Sequence, residues 1–103
     1  MSWYLYRLHA HRPDFANTMT DAEMTAMMAH VEYWRGPLSE GRALIYSPVA
    51  DPQHSWGMAI VQADSEEELE ELRSQDPAVL ADVGVVDWLL LPFPVVAEPA
   101  TPH

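Results

Sequence analysis

From Thr20 to Leu38 the apolar positions Met24, Met27, Met28, Val31, Trp34 and Leu38 recur at helical spacing. At about 100° per residue they cover one side of an amphipathic helix packed on a sheet. Thr20 followed by Glu23 is a capping-box pattern that opens this helix. Gly36-Pro37 is expected to break or kink it, so that regular helix runs from Asp21 to about Arg35, and Gly41 closes the turn. His30 falls at the margin of the stripe, beside Glu23, Met27 and Trp34 on the same wheel. By pattern it is neither core nor open surface, which is where a helix presents an ionisable group to a pocket.

The flanking segments alternate with period two. Trp3 to His9 is aromatic-rich and reads as a first strand, and His11 to Met19, with Pro13, Asp14 and Asn17, carries turn formers without a period and reads as a connecting loop. Arg42 to Val49 and Trp56 to Ala63 are two further strands. Their short link, Ala50 to Ser55, makes them an antiparallel hairpin. Ser65 with Glu68 repeats the capping-box signature at a second helix, where Leu69 and Leu72 face the core; Asp76-Pro77 ends it and starts a short turn over Ala78 to Ala81. Val83 to Phe93 is the last strand, apolar on both faces, and Pro94 to His103, with three prolines, is a loose tail.

The order β-α-β-β-α-β predicts one ferredoxin-like α+β domain over residues 1–93: a four-stranded antiparallel sheet with two helices on one face. Two helices leave the other face bare. Yet Trp3 and Leu5 are as apolar as Tyr4, Tyr6 and Leu8, and Val85, Leu89 and Leu91 as apolar as Val86, Trp88 and Leu90. An uncovered apolar face marks an association surface, and a homodimer satisfies it with one self-complementary patch.

Composition removes several function classes. Five Arg, no Lys and sixteen acidic residues give a formal net charge of -11, which repels a nucleic-acid backbone and leaves no lysine for a Schiff base or a phosphate loop. The four glycines, at 36, 41, 57 and 84, are too scattered to cradle phosphates. Without cysteine there is no disulfide, thiolate nucleophile or sulfur-ligated metal. No apolar run reaches the length of about 18 residues needed to span a membrane, and the first residues lack the signature of an export signal. The expectation is a cytoplasmic protein that binds neither membrane nor nucleic acid and needs no cofactor.

Among the remaining polar residues, His9 and His11 at a strand end, with His54, are a candidate three-histidine metal set. Tyr4, Tyr6, Trp34 and Trp56 are candidates to line an aromatic-binding pocket, and Met24, Met27 and Met28 read as core rather than as a cofactor box.

The chain resembles the YCII-related domain family, within the dimeric α+β barrel superfamily, from Trp3 to about Phe93. The resemblance rests on the aromatic first strand, His30 followed by Tyr33-Trp34, and Gly41 leading through a strand to Pro48. It continues with Asp51 before Gly57, the run Ala63-Asp64-Ser65-Glu66-Glu67, Asp76-Pro77, and a last strand ending Pro92-Phe93. Ser47 stands where the family commonly has glycine, and Asp82 interrupts a stretch that often reads Ala-Gly-Val. The resemblance implies a site in which a helix histidine pairs with an aspartate: His30 with Asp76, or with Asp51 as second candidate. Tyr6, Trp34, Ser47 and Trp56 become candidate substrate contacts. Some members eliminate chloride from chlorinated aromatic diols.

A histidine oriented by a carboxylate is an acid-base group, since imidazole titrates near neutrality and the carboxylate fixes its tautomer. Three readings follow: a lyase or isomerase acting on a small aromatic or polyketide-like molecule through His30 and an aspartate, a non-catalytic ligand-binding or accessory domain of the same fold, and a metal enzyme built on His9, His11 and His54.

Overall fold

Strand β1 (Ser2–Ala10) runs through the middle of the sheet, antiparallel to β3 (Trp56–Ala63) on one side and to β4 (Gly84–Leu91) on the other; β2 (Ala43–Val49) completes the order β2-β3-β1-β4. The computed structural model describes residues 1–97, and positions 98–103 of the expected Pro-rich tail lie outside the described residues. The two long helices are α2 (Asp21–Ser39) and α3 (Glu66–Gln75); the single turn α1 (Phe15–Thr18) precedes the first and the single turn α4 (Pro77–Leu80) follows the second. This is the ferredoxin-like α+β architecture expected from the order of elements.

Alternation along the strands sorts side chains between the two faces. Tyr6, Leu8 and Ala10 of β1, with Ala59, Val61 and Ala63 of β3, are buried beneath the helices. Tyr6, Val61 and Ala63 pack with Trp34 of α2 and with Leu69 and Leu72 of α3, while Leu8 and Ala10 join Phe15, Ala78 and Val83 in a second cluster. On the opposite face the register aligns Ile45, Ile60, Leu5 and Leu89 across all four strands, with no helix of the described residues above them.

Several local expectations are corrected. Helix α2 does not stop at Gly36-Pro37. It continues to Ser39 with Pro37 buried, losing only the one hydrogen bond that a proline nitrogen cannot make. Its end is a Schellman motif: Gly41, at φ 76°, donates to the Leu38 carbonyl at 3.2 Å, and Arg42 donates to that of Pro37 at 2.9 Å. The buried side of α2 is also not the expected stripe. Met24, Met28, Val31 and Leu38 are exposed, Met27 is half-buried, and the inward side runs through Ala26, Met27, His30, Tyr33, Trp34 and Pro37. Met24 and Met28 are therefore not core. The segment 11–19 is not a plain loop, because Phe15 is buried and nucleates the turn α1. Strand β4 is shorter at both ends than Val83 to Phe93.

The helix starts follow the capping chemistry. At α2 the box is complete, with Thr20 Oγ1 accepting from Glu23 N and Glu23 accepting from Thr20 N. At α3 it is half a box: Ser65 caps Glu68 N, but the Glu68 carboxylate accepts from Asp64 N instead.

Candidate active site

His30 and Trp34 stand one turn apart on the inward side of α2. Asp76 lies between α3 and α4, where Pro77 bars α-conformation in the residue before it, so Asp76 takes φ -68° and ψ 123° and leaves one helix to cap the next. That break turns its side chain inward, and Asp76 is fully buried. Oδ1 lies 2.7 Å from His30 Nδ1 and accepts from Ala78 N at 3.0 Å, while Oδ2 accepts from Trp34 Nε1 at 2.9 Å. Indole and amide nitrogens only donate, so both carboxylate oxygens act as acceptors. In the neutral ring, Nδ1 of His30 is therefore the nitrogen that donates to Asp76, and Nε2 the one that holds the lone pair.

His30 borders a cavity of about 440 Å³ between α2 and the sheet. The floor exists because the inward positions of the strands carry small residues there: Ala10 on β1, Gly57 and Ala59 on β3. Tyr6 and Leu8 complete the floor, Met27, Val31 and Trp34 form the roof, Tyr46 and Pro48 one side, and Phe15, Ala16 and Met19 the far end. Among the described residues no Lys, Arg, Asp or Glu lines it, and the titratable groups there are His30, Tyr6 and Tyr46. Tyr46 is committed to the Val31 carbonyl at 3.1 Å. The Tyr6 hydroxyl is buried and has no hydrogen-bond partner among the described residues. Burial, and secondarily the Asp76 carboxylate, raises its pKa, so it stays protonated.

Of the candidate residues, the structure brings His30, Asp76 and Trp34 together and sets Tyr6 along the same cavity; Ser47 and Trp56 border it from β2 and β3, at register positions that face the other side of the sheet. The Ser47 hydroxyl donates to the Pro48 carbonyl at 2.8 Å. Asp51 is not part of the pair: it is exposed and accepts from Gln53 N at 2.9 Å and from Trp56 Nε1 at 3.1 Å, and those two donors, the first foremost, hold its carboxyl below the usual range. The three candidate metal ligands do not converge. His9 stacks on Trp56 and lies 3.3 Å from Asp87, His11 meets Asp82 at 2.9 Å, and His54 meets the Ala10 carbonyl at 2.8 Å. Among the described residues no cluster of three His, Asp or Glu is placed to hold a metal ion. Sequence reasoning missed the end wall of Phe15, Ala16 and Met19; its one signal was a large apolar residue inside a run of turn formers.

No family model matches the chain, and no curated protein matches it. Among solved structures, it is similar to 5-chloro-2-hydroxyhydroquinone dehydrochlorinase from Burkholderia phenoliruptrix AC1100, in complex with 2,5-dihydroxybenzoquinone, with a TM-score of 0.61 and 17% sequence identity over 82% of this chain and 90% of that one. A likeness at that identity is a likeness of fold.

Proposed function

We propose that this chain is a YCII-like small-molecule enzyme of lyase or isomerase type, with His30 as its acid-base group and Asp76 as the residue that orients it. One observation carries the reading: a histidine tied through Nδ1 to a buried carboxylate stands in the wall of an apolar cavity. Asp76 fixes the tautomer and stabilises the imidazolium formed when Nε2 takes a proton. Its other two donors keep the carboxylate in place throughout.

The lining narrows the substrate. With no charged side chain among the described residues to neutralise an ionic group, and with Tyr6, Trp34 and Tyr46 along it, the cavity suits an uncharged aromatic ring bearing hydroxyls. On a chlorinated aromatic diol, a hydroxyl proton moves to the carbon bearing chlorine, giving a keto tautomer. Nε2 then takes a second hydroxyl proton while chloride leaves with the electron pair of its bond. The net loss is HCl, with no oxidant required. The same reading includes pairing of two copies through the bare sheet face.

The test is chloride release from chlorinated dihydroxy- and trihydroxybenzenes, read by ion chromatography. His30→Asn keeps polarity and bulk but cannot shuttle a proton near neutral pH, so turnover is expected to vanish with the fold intact; Asp76→Asn is expected to cost less. Undiminished turnover in folded His30→Asn would overturn the proposal. Ring binding without chloride release or isomerisation would favour the non-catalytic ligand-binding reading.

A further inference from the structure

The walls of the cavity differ in what holds them. Its floor is a sheet and its roof a long helix, both carried by backbone hydrogen-bond ladders. The far end, residues 11–19, contains a single helical turn and belongs to no ladder: it is tied down by side chains and by isolated backbone bonds, such as that from His11 N to the Val83 carbonyl at 3.0 Å. The Arg12 guanidinium donates to both carboxylate oxygens of Glu23 at 2.9 Å and to the Thr18 carbonyl at 3.0 Å, and its central carbon lies 5.3 Å from the centroid of the Phe15 ring. On the other side Ser55 donates to the Pro13 carbonyl through its backbone nitrogen at 2.7 Å and its hydroxyl at 2.9 Å, and accepts from Ala16 N at 3.0 Å. Phe15 sits between the two ties, 5% exposed, against Leu8, Ala10, Ala78 and Val83.

We infer that Phe15 sets the length of aromatic ligand the cavity admits, and that Arg12 is the positioning residue that holds it there. Phe15 carries the one aromatic ring of the lining that belongs neither to α2 nor to the sheet. Because the ring borders the cavity on one side and packed apolar groups on the others, shortening it adds space to the cavity instead of leaving a closed void. Removing the Arg12 guanidinium releases the segment from α2 without touching a residue that lines the cavity. The inference rests on the proposed function only in taking the cavity as a binding site. It does not depend on proton transfer at His30.

The probes are phenol and 2-naphthol, uncharged one-ring and two-ring hydroxyaromatics, with affinities read by tryptophan fluorescence and protein NMR shifts. Relative to wild type, Phe15→Ala is expected to bind 2-naphthol about tenfold tighter or better, with Phe15→Leu and Arg12→Gln gaining less, and phenol affinity in all three flat or lower. Phe15→Leu retains most of the buried volume, so a native-like circular dichroism spectrum is expected even where Phe15→Ala unfolds. If 2-naphthol binds no better than to wild type in whichever Phe15 variant is folded, the inference is wrong. Equal gains for both probes would also overturn it, since they would report general loosening rather than length. Because the readout is binding, it separates from the chloride-release result in the His30 variant.

Discussion

His30 Nδ1 and Asp76 Oδ1 are 2.7 Å apart, and the pair is assembled from one residue in mid-helix and one at a break between helices. The same carboxylate caps α4 and anchors the Trp34 indole, whose ring packs edge-on against Tyr6 with centroids 5.0 Å apart. Orientation of the histidine and integrity of the core thus share a single side chain. A variant at Asp76 therefore changes two things at once, and a variant at His30 only one.

That difference is measurable. Asp76→Ala leaves two buried donors, Trp34 Nε1 and Ala78 N, without acceptors and removes a cap, so it is expected to destabilise the fold by at least about 2 kcal/mol. In urea unfolding, His30→Asn should lie much closer to wild type. Equal midpoints for Asp76→Ala and wild type would show that the carboxylate is not the structural pivot described.

Glu23 gives a pH prediction. Its pKa is lowered from 4.5 to about 2, first by the Arg12 guanidinium and then by the Thr20 backbone N–H. A carboxyl whose folded pKa is depressed contributes stability above its unfolded pKa and loses it as pH falls through the folded value. The contribution is therefore present at neutrality and fades from about pH 4.5 down to about 2. Glu23→Gln still accepts from Thr20 N but cannot pair ionically with Arg12. Its unfolding midpoint should lie below wild type at pH 7, and the gap should shrink steadily below about pH 4.5 towards pH 2; a gap that stays constant with pH contradicts the assignment.

Much of this fold is written in local pattern. The capping signals at Thr20 and Ser65, the Asp76-Pro77 restart and the period-two strands each correspond to an observed element, because each depends on neighbours a few residues away. What did not read locally was the inward side of α2. The Met24, Met28, Val31 and Leu38 stripe is more apolar than the buried one, which runs through alanine, histidine, tyrosine and proline, so hydrophobicity pointed to the wrong side by part of a turn. His30 is near the middle of the buried stripe, not at its margin. The geometry of the pair depends on a contact across the fold that spacing does not encode. The resemblance alone offered Asp76 and Asp51, and the structure places only Asp76 beside His30.

Gly84 marks where β4 begins against the end of β1, opposite Ala10. A Cβ there would lie 2.0 Å from the His9 carbonyl oxygen and 2.9 Å from the Ala10 Cα, so backbone itself must move. Gly84→Ala is expected to cost about 3 kcal/mol or more. Gly57 is the control: its added Cβ would sit 3.5 Å from the Ser47 carbonyl oxygen, an ordinary contact. Gly57→Ala should therefore leave the melting temperature nearly unchanged while narrowing the cavity it lines. A mild Gly84→Ala would mean that β4 has freedom the register does not show.

The bare sheet face supplies the last prediction. Across it Ile45, Ile60, Leu5 and Leu89 form one transverse row, and the next row holds Ser47, Met58, Arg7 and Asp87. Ile45 and Leu89 are about half exposed at the two ends of the first row, and no helix among the described residues reaches them. An apolar band of this kind is stabilised by removal from water, and a second copy offers the matching band through a two-fold contact. Arg7 and Asp87 pair bidentately at 2.7 and 2.9 Å beside that band, so burial by a partner would not strand a lone charge. We expect sedimentation at micromolar concentration to give about twice the 11.6 kDa of one chain. Leu89→Asp, at a site where the single chain buries little, should give the monomer mass with an unchanged circular dichroism spectrum. A wild-type protein that sediments as one chain refutes the pairing, and a Leu89→Asp variant that remains a dimer moves the contact to another surface.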